Sequence, residues 1–103
     1  MYEELADYDA LINSIVYMEL IQGTRDKKEL NKIDKFLKQF EIIPIDTAVS
    51  LEAVALMKIY YLSHGLLIPD ALIAATSIIK NIPLWTFNKK DFRFIEKVNL
   101  VGN

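Results

Sequence analysis

Residues 68–92, IPDALIAATSIIKNIPLWTFNKKDF, constrain the fold more than any other stretch of this chain. Pro69 suits the first turn of a helix, where its missing N–H costs nothing. Asp70 follows in the same turn, where free backbone N–H groups and the helix dipole favour a carboxylate. Ala71, Ala74 and Ala75 stand among Leu72, Ile73, Ile78 and Ile79. A helix of that composition is buried on most sides, and its alanines permit close packing against a sheet. The pattern predicts a turn at Asn81, a short strand over residues 84–86, and then the polar loop Asn88-Lys89-Lys90-Asp91. Such a loop returns beside the helix start, and α/β folds build their sites at the carboxyl ends of strands.

The rest of the chain must supply the core for that helix. With 103 residues, one domain over 1–103 is expected, large enough for a modest core. A hydrophobic fraction of 52% with 25% charged residues describes a globular chain and excludes a disordered one. No apolar run approaches the ~20 residues of a membrane span, so no membrane role is expected. The start, Met1-Tyr2-Glu3-Glu4, lacks the basic and apolar regions of a signal peptide. With no cysteine there is neither a disulfide nor a thiolate zinc site, which fits a cytoplasmic protein. The net charge of −2 gives no general attraction for nucleic acid, so such a partner needs local basic groups or bound metal.

In chain order, residues 2–8 read as a short helical piece and Asp7-Tyr8-Asp9 as a turn. An apolar run at 10–13 leads to Ser14, the expected N-cap of a helix over 15–22 that Gly23 stops. Residues 27–40 carry the clearest helical period, with Leu30, Ile33, Leu37 and Phe40 on one face and Phe36 at its flank. Lys27, Lys28, Lys32, Lys35 and Lys38 take the remainder. They offer a nucleic-acid or partner surface, or simply a solvated face; Glu29 and Asp34 among them favour the solvated face. Residues 41–45 are strand-like, with Pro44 arguing for an edge or end. Asp46 or Thr47 caps a long helix to about Ser63, closed by Gly65. Its apolar face is expected to include Val49, Ala53, Val54, Leu56, Met57, Tyr60 and Tyr61. Residues 98–101 suit a final strand. Strand-like runs alternating with helices argue for α/β with a mostly parallel sheet.

Few residues offer chemistry. The single histidine, His64, precedes a glycine at a helix end. It offers a general base, but a histidine there commonly just complements the helix C-terminus, and no nucleophile pattern surrounds it. The three glycines are isolated, so no phosphate loop exists. What remains is carboxylates in unusual company. Glu19 stands in the apolar run YMELI, Asp70 begins a buried helix, and Asp91 with Asn88 lies in a loop after a strand. A few hard oxygen donors with waters completing an octahedron are what Mg²⁺ or Mn²⁺ requires. Such an ion activates water and offsets charge on phosphate oxygens during displacement. Each residue also has a plain structural role: Glu19 on a solvated face, Asp70 as a helix-start charge, Asp91 as the cap of a turn.

Three ordered pieces, SIVYMELIQG (14–23), LLIPDALIAAT (66–76) and LWTFNKKDF (84–92), resemble the PIN-domain family, and within it the VapC-type toxins of toxin–antitoxin pairs. None is as specific as a zinc signature; together, in this order and spacing, they are distinctive. The resemblance implies a three-layer α/β/α fold with a short, mostly parallel sheet. It implies a metal-dependent endoribonuclease, usually homodimeric and silenced by a protein antitoxin. By it the family's second acidic ligand falls on Glu19 and its third on Asp70. The fourth position falls on Asn88, with Asp91 the nearby carboxylate, and Thr86 matches a threonine beside the site.

The family's first strand carries a metal-binding aspartate in a pattern like L-I-D-T-N/D, and no such strand occurs here. Asp7 and Asp9 do not follow an apolar strand. The resemblance thus implies a domain truncated at its N-terminus by roughly 20–25 residues relative to usual family lengths. Losing a central strand would expose unpaired backbone edges and invite a homodimer or higher oligomer. The expectation is a Mg²⁺- or Mn²⁺-dependent ribonuclease acting on RNA. Glu19, Asp70 and Asp91 would be metal ligands, and Asn88 and Thr86 orienting groups. The alternative is an inactive remnant that dimerises or binds an antitoxin.

Overall fold

The computed structural model describes residues 13–84 and 89–100. The expectations for residues 2–12, together with Thr86, Asn88 and Val101, lie outside the described residues. Among the described residues four α-helices follow one another: α1 (Ser14–Gln22), α2 (Lys27–Leu37), α3 (Thr47–His64) and α4 (Ile68–Lys80). A 3-10 turn, Lys89–Asp91, comes after them.

Each helix start has a local cause. Asn13, not Ser14, caps α1: its Oδ1 accepts from Val16 N at 2.9 Å. Asp26 accepts from Glu29 N at 2.8 Å, and Glu29 Oε1 accepts from Arg25 N at 2.8 Å, a reciprocal arrangement that fixes the entry to α2. Asp46 accepts from Val49 N at 3.0 Å to begin α3. The ends are equally local. Gly65 (φ 68°) and Asn81 (φ 55°) both adopt the left-handed conformation, which glycine and asparagine tolerate best. Helix α2 stops at Leu37 and does not reach Phe40. Gln39 N and Phe40 N bond back to Phe36 O and Leu37 O, and Gln39 Nε2 also takes Phe36 O, so the last turn tightens and closes.

The core centres on α4. Ala71, Ile73, Ala74 and Ala75 are buried, and α4 packs most extensively on α3 through Val49, Ala53 and Leu56. Leu66, Leu84, Phe92 and Ile95 complete this cluster. A smaller cluster joins α1 to α2 around Ile33 and Leu37, and there the Tyr17 hydroxyl donates to Asp34 Oδ1. The two halves are tied by a buried polar link. Asn13 Nδ2 donates to Thr76 Oγ1 at 3.0 Å, and Thr76 Oγ1 donates to Leu72 O at 2.8 Å. No buried side-chain polar atom among the described residues lacks a partner.

Of the strands expected over 41–45, 84–86 and 98–101, the described residues show isolated parallel bridges, Asn13 with Ile43 and Leu84 with Leu100; residues 85, 86 and 101 lie outside the described residues. Pro44 and Pro83 flank those bridges and have no N–H with which to extend a ladder. The α/β/α layering is therefore represented among the described residues by helices and two parallel contacts. Val54 and Tyr61 also leave the core face assigned to them, each being 53% exposed. Each lies about 100° around the helix from its neighbour Ala53 or Tyr60, which points it away from α4.

Candidate functional site

Asp70 owes its position to the start of α4. Leu67 occupies the N-cap without a side-chain hydrogen bond, and Pro69 follows, so the free amides of the first turn are left to a carboxylate. The packing of α4 on α3 leaves Asp70 half-buried beside the end of α3. From the other side the 3-10 turn brings up Asp91 and Lys90. Phe92 and Ile95, both buried, anchor that turn to the core. The result is a cavity of about 220 Å³ lined by Asp70, Asp91, Lys90, His64 and Phe94 and by backbone and side chains of residues 65–67.

The electrostatics of this cavity are those of crowded anions. Burial pushes the Asp70 carboxyl above its ordinary range, and the charges of Asp91 and then Glu19 push it further. Glu19 therefore acts on Asp70 through space, yet it lines a different groove. That groove, about 520 Å³, runs between α1 and α2 with Arg25, Glu29 and Lys32 on its walls. It is the larger of the two, but its charges are mixed and largely exposed, and Arg25 is already paired to Glu29 at 2.7 Å. Among the described residues no three histidine, aspartate or glutamate side chains gather closely enough to hold a metal ion together.

Of the residues singled out from sequence, Asp70 and Asp91 meet in one cavity. Glu19 stands apart within electrostatic range, and Thr86 and Asn88 lie outside the described residues. The basic residues of α2 are exposed, and Lys38 pairs with Asp34 at 3.6 Å, as befits a solvated face. Three residues of the cavity are not among the site residues expected from sequence: Lys90 reads only as part of a polar loop, Phe94 carries no motif, and His64, weighed as a general base, reads as a complement to the helix C-terminus. The spacing Tyr60–His64 at i, i+4 is the available signal, since it sets two rings side by side on one helix edge, where they meet edge to face.

Asp70 and Asp91, two of the three carboxylates expected as ligands, share a cavity whose oxygen donors suit a small hard cation. Mg²⁺ retains several waters and is commonly held by one or two carboxylates plus substrate phosphates. Asp70 and Asp91 supply such a pair, and mutual repulsion of their charges is what a cation relieves.

Comparison with known proteins gives consistent results. A family model described as "PIN domain" matches residues 2–98. The chain is 39% identical over 93 residues to "Ribonuclease VapC1" of Methanocaldococcus jannaschii, covering 86% of this chain and 66% of that protein. It thus spans just under two thirds of the length of the curated relative. A toxin–antitoxin complex from Klebsiella pneumoniae superposes with a TM-score of 0.76 at 31% identity, covering 93% of this chain and 78% of that one. VapBC2 from Rickettsia felis, solved bound to a DNA fragment from its promoter, gives 0.75 at 32% identity, covering 95% and 78%.

Proposed function

The chain belongs to the PIN-domain family, and from that premise we propose that it is a Mg²⁺- or Mn²⁺-dependent endoribonuclease of the VapC toxin type. The observation that carries the reading is the meeting of Asp70 and Asp91 in one cavity, with the Asp70 carboxyl pushed up by burial and then by its acidic neighbours. In this reading Asp70 and Asp91 hold the cation. Glu19 adds negative charge from α1, and Thr86 and Asn88 orient water or substrate. When bound, the cation activates water and offsets the charge that grows on the phosphate oxygens. Asp70 is held at a fixed point by a helix whose other faces are buried, so its carboxylate does not reorganise during the reaction. Lys90, on the same cavity, faces the incoming phosphate with a positive charge.

The partners in this reading are RNA, a cognate protein antitoxin and a second copy of the chain, in the cytoplasm. Self-association is assigned to the outer face of α3, where Leu51, Val54, Ile59 and Leu62 are exposed. No helix of the described residues is long and apolar enough to cross a membrane. The family's short, mostly parallel sheet is proposed to extend from the two parallel bridges.

A second reading has its own support. It is an inactive, antitoxin-binding or dimerising module, for which the exposed apolar face of α3 offers the contact surface. An RNA-cleavage assay separates the two. The active reading expects cleavage that requires Mg²⁺ or Mn²⁺ and disappears in Asp70→Asn. Wild-type protein that leaves RNA intact at saturating Mn²⁺ selects the binding module.

A further inference from the structure

We propose that His64, stacked on Phe94 at the rim of the Asp70–Asp91 cavity, is a platform for one base of single-stranded RNA, with Lys90 taking the adjoining phosphate. The proposal rests on the ribonuclease reading for its substrate, and its geometry stands on separate observations. The imidazole of His64 lies parallel to the Phe94 ring, with centroids 4.3 Å apart and planes 8° from parallel. Tyr60 meets both rings at steep angles, at 5.9 Å from His64 and 5.3 Å from Phe94. A triangle with those sides puts Tyr60 beside the stack, nearer Phe94, and not on top of it. The face of His64 turned away from Phe94 is therefore covered by neither ring, and the residue is exposed.

The ring is also held in place. Ser63 Oγ lies 2.8 Å from His64 Nδ1, and Phe94 packs against the main core cluster. A rigid aromatic face open to solvent is what an unstacked nucleobase uses, and histidine serves in this role alongside the larger aromatics. Two features set the orientation. His64 and Lys90 line the same cavity as Asp70 and Asp91, so a base on His64 carries its own backbone phosphate toward the carboxylates and Lys90. In a duplex every base face but those at the ends is already stacked, so the platform favours single strands.

The test is fluorescence anisotropy of a short labelled single-stranded RNA on the full chain. Millimolar Ca²⁺ supplies a hard cation for Asp70 and Asp91. His64→Ala should weaken binding by about fivefold or more, the lower end for one stacked base. His64→Phe should retain most of the affinity, because it keeps the face and loses only the ring nitrogens. Lys90→Ala should weaken binding and flatten its salt dependence. The same RNA annealed to its complement should bind less tightly and respond little to His64→Ala. In cleavage, His64→Ala should raise KM and leave kcat nearly unchanged, the mark of lost uniform binding. Melting curves of the variants establish that each is folded. Wild-type affinity and KM in folded His64→Ala overturn the proposal, as does His64→Phe that is as weak as His64→Ala. Stacking-dependent binding without cleavage would keep the platform and defeat the nuclease reading. Cleavage indifferent to His64 would do the reverse.

Discussion

Helices α3 and α4 are both strongly apolar in sequence and lie against each other, yet the structure uses them differently. In α4 the apolar residues go almost all the way round, and Ala74 and Ala75 are wholly buried. In α3 one stripe, Val49, Ala53 and Leu56, enters the core. The opposite side presents Leu51, Val54, Ile59 and Leu62, the last 93% exposed. The difference lies in side-chain volume. Alanines let α4 sit within reach of several elements at once, whereas α3 has bulky side chains on both faces and, among the described residues, buries only one of them. Rigidity follows from this. The helix that carries Asp70 is the better enclosed of the two, and the helix with the surplus apolar face is the one suited to another chain.

The comparison breaks most easily at Ala74. Ala74→Leu inserts volume where none is free and should cost on the order of 1–3 kcal/mol in chemical denaturation; a near-neutral result would mean that α4 is not tightly enclosed.

A smaller effect concerns pH. The raised Asp70 carboxyl ionises later in the folded chain than in the unfolded one. Between its ordinary value and the raised one the folded state holds the extra proton, so stability is lost as pH rises through that window. Asp70→Asn removes the penalty. Without divalent metal it should melt above wild type at neutral pH, with the advantage gone below the ordinary aspartate range. Equal melting temperatures across that range would mean that burial and neighbouring charge do not raise the Asp70 carboxyl. The smallest effect is expected on the outer face of α3. Leu62→Ser should change monomer stability by less than about 0.5 kcal/mol while weakening self-association in sedimentation. A large loss of monomer stability would place that face in a core.

Where the sequence was legible, the determinants were local. Pro69, Asp46, Gly65 and Asn81 mark helix ends by their own conformational chemistry, and all four lie where that chemistry puts them. Serine and asparagine compete for the cap role, so Ser14 is the local expectation; Asn13 takes it in the structure and also pairs with Thr76 across 63 positions, a pairing no local rule contains. The same limit applies to the site. That Asp70 and Asp91 meet follows from a loop returning to a helix start. That Glu19 opens instead on the groove beside α2 depends on how α1 seats against α2. The stack of His64 on Phe94 joins residues 30 positions apart and has no sequence signature.

The central claim is that Asp70 and Asp91 form one cation-binding centre, and calorimetric titration with Mn²⁺ tests it most directly. Wild-type protein should bind Mn²⁺, and Asp70→Asn and Asp91→Asn should each weaken binding severely. The double variant should add little to either single loss, because the two carboxylates act on one ion. Glu19→Gln should weaken binding less than either, since Glu19 acts on Asp70 from a separate groove. Unchanged Mn²⁺ affinity in folded Asp70→Asn, or independent and additive losses at Asp70 and Asp91, would contradict a shared centre.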